Sequence, residues 1–122
     1  MKVAVVGVTG LVGSKMLQVL AERNFPVSEL IPVASENSVG KDILFNNKTW
    51  KVVSMQTAID RAPDLALFSA GGSVSKEFAP KFAAKGTYVV DNSSAWRMEK
   101  DIPLVIPEVN AHALQAGSHI IA

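Results

Sequence analysis

The chain has 122 residues, 48% of them hydrophobic and 19% charged, with a net charge of +1 and no cysteine. That length supports one domain with a proper core, and the missing cysteine excludes a disulfide framework, a thiolate metal site and a cysteine nucleophile within these residues. No basic run marks a nucleic acid or an anionic membrane as partner, and no stretch reaches the roughly 18 apolar residues that span a bilayer.

The amino terminus enters a strand at once, which argues against a signal peptide and makes a cytoplasmic location the expectation. The two histidines, His112 and His119, lack carboxylate neighbours at ligand spacing, so no metal site is expected.

Residues 2–6 form an apolar, β-branched run that stops at Gly7, and glycines recur at Gly10 and Gly13. A helix reads from residue 11 to about residue 23. Strand, glycine turn and helix N-terminus together hold a nucleotide pyrophosphate on backbone N–H groups in many α/β proteins. In that arrangement Gly7 permits the tight turn, Gly10 lets the backbone approach the phosphate, and Gly13 lets helix and strand pack closely. The spacing is G-x-x-G-x-x-G rather than the commoner G-x-G-x-x-G, and glycines spaced by three also occur in turns that bind nothing.

Leu11, Val12, Met16, Val19 and Leu20 fall on one helical stripe, with Ser14, Lys15, Gln18 and Glu22 outside it. Asn24 and Pro26 end the helix. Residues 29–35 give a second strand, in which Pro32 argues for an edge position or an irregularity. A polar loop, Ser35-Glu36-Asn37-Ser38-Val39-Gly40-Lys41, follows where the adenosine ribose of a dinucleotide lands. Ser35 and Ser38, with Lys41 nearby, suit a 2′-phosphate, whereas Glu36 suits a free 2′-hydroxyl. A solvated loop without a ligand is the alternative.

Residues 43–53 read as a β-hairpin turning at Asn46-Asn47, and residues 56–61 as a short helix closed before Pro63. Residues 64–68 are a buried central strand. It runs into Ser69-Ala70-Gly71-Gly72-Ser73, a second strand-to-helix turn, with Ser73 or Ser75 as N-cap. The helix over residues 74–85 carries Phe78, Phe82 and Ala83 on one side. Pro80 should kink it or define a new first turn, and Gly86 stops it. Residues 87–90 form the next strand, followed by Asp91-Asn92-Ser93-Ser94-Ala95-Trp96-Arg97-Met98. Arg97 is either a solvated charge or a paired donor to phosphate or carboxylate. Residues 102–110 read as extended, Asn110 as N-cap of a helix over 111–116, and His119 as the start of a strand in which the chain stops. A fragment of something longer is the expectation.

Alternating strands and helices with two ligand-type turns predict an α/β fold: a Rossmann-like, doubly wound, mostly parallel sheet with helices on both faces. The whole chain is expected to form one such domain.

Gly7-Val8-Thr9-Gly10-Leu11-Val12-Gly13, Ser69-Ala70-Gly71-Gly72-Ser73, Asp91-Asn92-Ser93-Ser94-Ala95-Trp96-Arg97-Met98 and Pro107-Glu108-Val109-Asn110 occur in this order. Together they resemble the N-terminal, NAD(P)-binding domain of the aspartate-semialdehyde dehydrogenases over the whole chain. The resemblance implies reductive dephosphorylation of L-4-aspartyl phosphate to L-aspartate 4-semialdehyde with NADPH, on the route to lysine, methionine and threonine. It further implies a cysteine thiolate that attacks the acyl phosphate and a histidine acid/base, both beyond Ala122. A chain lacking both is expected to bind cofactor without turning over.

Carried over by position, Thr9, Gly10, Leu11 and Val12 hold the pyrophosphate, with Gly7 and Gly13 in the same cofactor-binding turn. Ser35, Asn37 and Ser38 surround the adenosine 2′-phosphate, and Ser69, Ala70, Gly71 and Gly72 lie along the cofactor. Arg97, with Asn92 and Ser94, binds the substrate phosphate or inorganic phosphate. Many members carry an arginine where this chain has Asn37. That difference weakens the 2′-phosphate clamp; NADP remains the expected cofactor, with NAD admitted by Glu36. A homodimer or homotetramer is expected of the full-length enzyme. The related N-acetyl-γ-glutamyl-phosphate reductases, which share the opening turn, and a stand-alone nucleotide-sensing module are the alternatives.

Overall fold

The computed structural model describes residues 1–92 and 120–121. Five strands form one wholly parallel sheet in the order β2-β1-β5-β6-β7, spanning Glu29–Val33, Lys2–Val6, Leu65–Phe68, Tyr88–Asp91 and Ile120–Ile121. A separate antiparallel hairpin pairs β3 (Asp42–Phe45) with β4 (Lys48–Lys51). The helices are α1 (Leu11–Glu22), α2 (Met55–Asp60) and α3 (Gly72–Ala84).

Helices lie on both faces, as expected. One core joins α2 and α3 to Ala4, Val6, Ile31, Val33, Ala66, Phe68 and Val89. The other joins α1 and the hairpin to Val3, Val5 and Leu30. The two lists interleave along β1 because successive side chains of a strand point to opposite faces. Val3 to Val6 are therefore all buried, which is why that run reads as continuously apolar. On the α3 face, the rings of Phe68 and Phe82 meet edge to face at 5.6 Å and 89°, an arrangement that adds about 1 kcal/mol to burial.

β2 is an edge strand of the sheet, in keeping with Pro32, which lacks the N–H an inner strand would need. Its outer side is not bare: Pro32 O accepts from Val53 N at 2.8 Å. The hairpin turns through Asn46 and Asn47 at φ 52° and 62°, the two-residue turn that matches strand twist. α1 closes as expected at Asn24, with Phe25 N on Leu20 O and Asn24 N on Ala21 O. α3 closes the same way at Gly86.

Three expectations need correction. The apolar stripe of α1 is only partly in phase: Leu20 is buried and Met16 packs against the core as read, but the helix also buries Gly13 and Leu17, whereas Leu11 is 90% exposed and Val12 and Val19 are exposed too. Neither Ser73 nor Ser75 caps α3. Its N-cap is Gly71 at φ 93°, and Ser75 is buried, donating instead to the Asp91 carboxylate at 2.5 Å. α3 also runs unbroken from Gly72 to Ala84, so Pro80 starts no new first turn. The expected extended segment over 102–110, the helix over 111–116, and residues Ser94, Arg97, His112 and His119 lie outside the described residues.

Candidate functional site

The register of the parallel sheet aligns the carboxyl ends of four strands. Val6 pairs with Val33 and with Phe68, and Phe68 pairs with Asp91. The loops that leave those residues therefore start in one row: Ala34–Ser35, Gly7, Ser69 and Asn92. The chain leaves β1 toward β2 on one side and returns to β5 on the other, so a crevice opens beyond the ends of β1 and β5. The predicted residues of three separate loops meet there.

Backbone bonds hold this row. Gly7 N and Val8 N both donate to Val33 O, at 2.9 and 3.1 Å. Ser69 N donates to Val6 O at 2.9 Å, its hydroxyl donates to the same carbonyl at 3.2 Å, and Asn92 N donates to Phe68 O at 3.0 Å. Two glycines are fixed by crowding. Gly7 sits at φ 87°, and a Cβ there would stand 2.9 Å from the carbonyl and hydroxyl oxygens of Ser69. A Cβ on Gly13 would stand 2.2 Å from Gly7 O and 2.8 Å from Val8 Cα. Gly13 is thus where α1 leans on the turn. Gly10 is looser, with 3.4 Å to Gly7 O.

Two helix N-termini face the crevice. α1 is capped by Gly10 and α3 by Gly71, and neither cap residue supplies a side-chain acceptor. Neither helix has an acidic residue in its first turn. The first-turn N–H groups have no acceptor within their own helix, and the positive end of each dipole favours an anion there. Thr9, Gly10, Leu11 and Val12 are all exposed, which leaves the α1 amides open to a ligand. This is the arrangement that binds a pyrophosphate.

Beside the turn lies a cleft of about 430 Å³. Its rim is Gly7, Thr9, Ser35 and Glu36, and its wall is Met55, Ala70, Val74 and Phe78. An apolar wall against a polar rim suits an aromatic base next to a sugar. Of the residues singled out in the sequence, Ser35 and Ala70 also line this cleft. Asn37 is exposed outside its lining, and Ser38 is buried at 8% exposure. Met55, Val74 and Phe78 escape a reading of the sequence, because their apolar character marks them as core. Two of them sit at helix starts, α2 and α3, and that placement at the sheet's carboxyl edge is the signal available.

Among the described residues no group of three or more His, Asp or Glu side chains could hold a metal ion, and no helix is long and apolar enough to cross a membrane.

Residues 2–117 match the family model described as semialdehyde dehydrogenase, NAD binding domain. An aspartate-semialdehyde dehydrogenase from Aquifex aeolicus is 57% identical over 110 residues, covering 89% of this chain and 32% of that protein. The crystal structure of aspartate semialdehyde dehydrogenase II from Vibrio cholerae, complexed with ASA, superposes with a TM-score of 0.93 at 48% identity, over 99% of this chain and 40% of that one. The Candida albicans enzyme with NADP gives a TM-score of 0.75 at 25% identity, over 92% of this chain and 35% of that one. The chain spans about a third of the length of the curated relatives it matches.

Proposed function

The chain belongs to the semialdehyde dehydrogenase NAD-binding domain family, and from that premise we propose that residues 1–122 are one dinucleotide-binding unit of an aspartate-semialdehyde dehydrogenase. The observation that carries this is the alignment of the Gly7, Ser69 and Ser35 loops beyond the ends of β1, β5 and β2, beside two helix N-termini without side-chain caps.

In this reading the pyrophosphate lies on the amides of Leu11, Val12 and Gly13, with Gly7, Thr9 and Gly10 shaping the approach. The adenine rests against Met55, Val74 and Phe78. Ser35, Asn37 and Ser38 belong to the ribose loop, although Ser38 contributes through the loop's backbone, since its side chain is buried. Ser69, Ala70, Gly71 and Gly72 line the path toward the nicotinamide. NADP is the cofactor, in keeping with the Candida albicans relative solved with it, and NAD is admitted as well.

Asn92, Ser94 and Arg97 hold the phosphate of an acyl-phosphate substrate, a task suited to the paired donors of a guanidinium. The parent reaction reduces L-4-aspartyl phosphate to L-aspartate 4-semialdehyde and phosphate in the cytoplasm, with the protein acting as a homodimer or homotetramer. The 122 residues hold no cysteine, so the thiolate step is not theirs.

The test is phosphate-dependent reduction of NADP in the presence of L-aspartate 4-semialdehyde by the full-length protein that carries this domain. Turnover with that aldehyde, and a raised KM for phosphate in Arg97→Ala, are expected. Turnover only with N-acetylglutamate semialdehyde, or unchanged kinetics in the variant, would contradict the substrate and the role of Arg97 respectively.

A further inference from the structure

Ser75 and Asp91 form a buried polar pair beside the crevice, and the dinucleotide reading uses neither of them. Ser75 is fully buried in the first turn of α3, and Asp91 is 4% exposed at the end of β6. The Ser75 hydroxyl donates to the Asp91 carboxylate at 2.5 Å. A hydroxyl-to-carboxylate bond of that length is among the stronger kinds, and burial raises the cost of losing it.

The pair joins two loops that serve different ligands in the proposed function. Just before Ser75 lie Gly71 and Gly72, on the path of the dinucleotide. Just after Asp91 lies Asn92, read as part of the phosphate site. β5 and β6 are neighbours whose ends pair at Phe68 and Asp91, so the two loops leave the sheet side by side. α3 begins on those two glycines, with its cap at φ 93° and no side-chain cap bond. Glycines leave open how a first turn meets the sheet. The bond from Ser75 to Asp91, 16 residues on, supplies that tie.

The two sides of the tie are not held equally. Ala79 and Phe82 are fully buried and anchor α3 in the core. Asn92 is exposed, and its backbone bond among the described residues is Asn92 N to Phe68 O at 3.0 Å. When the Ser75 hydroxyl is lost, the strand end is therefore the side that gives.

We propose that Ser75 and Asp91 are positioning residues for the reaction, holding the phosphate end of the substrate in register with the dinucleotide through Asn92. Being buried, they touch neither ligand. The inference rests on the reading of the chain as the dinucleotide-binding unit of an enzyme that takes an acyl phosphate. It is tested in the full-length protein that carries this domain, by phosphate-dependent reduction of NADP with L-aspartate 4-semialdehyde. In Ser75→Ala the KM for phosphate should rise about fivefold, while the KM for NADP stays within about twofold. A purely structural loss lowers the fraction of active enzyme, which reduces kcat and leaves both KM values where they were. Ser75→Cys keeps the size of the side chain and offers only a weak S–H donor. It should shift the phosphate KM in the same direction, and it carries the test if the alanine variant does not fold. Wild-type turnover with both KM values unchanged in the variants, or raised alike, overturns the positioning role and leaves the reading of the domain standing. Absence of turnover by the wild-type protein overturns both.

Discussion

A Cβ at Gly13 would stand 2.2 Å from the carbonyl oxygen of Gly7, closer than any real contact of that kind. Both neighbours are backbone, so no side chain can swing aside. Gly13→Ala must therefore push α1 off the turn, and we expect a loss of about 3 kcal/mol or more in urea unfolding. Gly10→Ala is the control. Its Cβ would sit 3.4 Å from Gly7 O, so the fold should survive within about 1 kcal/mol, while the added methyl group would stand in the path proposed for the phosphate. NADPH affinity should fall about tenfold or more without a matching change in unfolding midpoint.

The same contact explains what the sequence concealed. α1 carries two overlapping apolar arcs, one through Leu11, Val12, Met16, Val19 and Leu20 and one through Gly13, Leu17 and Leu20. Counting apolar residues selects the first arc. The helix turns the second inward because Gly13 has to meet the Gly7 carbonyl, and that rotates Leu17 and Leu20 onto β1 and the hairpin. The rest of the α1 environment was legible: the β-branched run, the glycine turn and the asparagine closure are local signals. So was the edge position of β2, which Pro32 announces. Ser75 was not, since its partner Asp91 lies 16 residues away and a serine in a first turn reads locally as a cap. The cleft's polar rim could be read from loop composition, whereas its apolar wall, Met55, Val74 and Phe78, is visible only once the sheet sets those helix starts beside Gly7.

Ser75→Ala removes a hydroxyl donor from a carboxylate that is only 4% exposed. Loss of a bond to a buried charged group costs about 2 kcal/mol. The bond links the first turn of α3 to the end of β6, so Asn92 should lose backbone order as well. Amide hydrogen exchange at Asn92, whose N–H bonds Phe68 O, should accelerate in the variant. Unchanged stability and exchange would mean that the bond is not retained in solution.

The hairpin makes a prediction of opposite sign. Asn47 sits at φ 62°, a conformation that glycine adopts without strain and a β-branched residue resists. Asn47→Gly should be neutral or slightly stabilising, and Asn47→Val should cost about 1–2 kcal/mol. Thermal unfolding of the two variants side by side checks the order; a reversed ranking would refute the turn type.

Phe82 is fully buried and packs edge to face on Phe68. Truncation to alanine opens a cavity beneath α3 and should cost about 3–5 kcal/mol. Because α3 supplies one of the two helix N-termini at the crevice, dinucleotide affinity should fall with it under conditions where the variant is still folded.

In the proposed function a dinucleotide pyrophosphate rests on the N-terminus of α1. A ¹⁵N-resolved NMR titration of the chain with NADPH tests it most directly. Saturable shifts of the Leu11, Val12 and Gly13 amides are expected, with Gly7, Thr9 and Ser69 responding alongside. Absence of saturable binding, or shifts confined to the hairpin over residues 42–51 while the three amides stay unmoved, would contradict it.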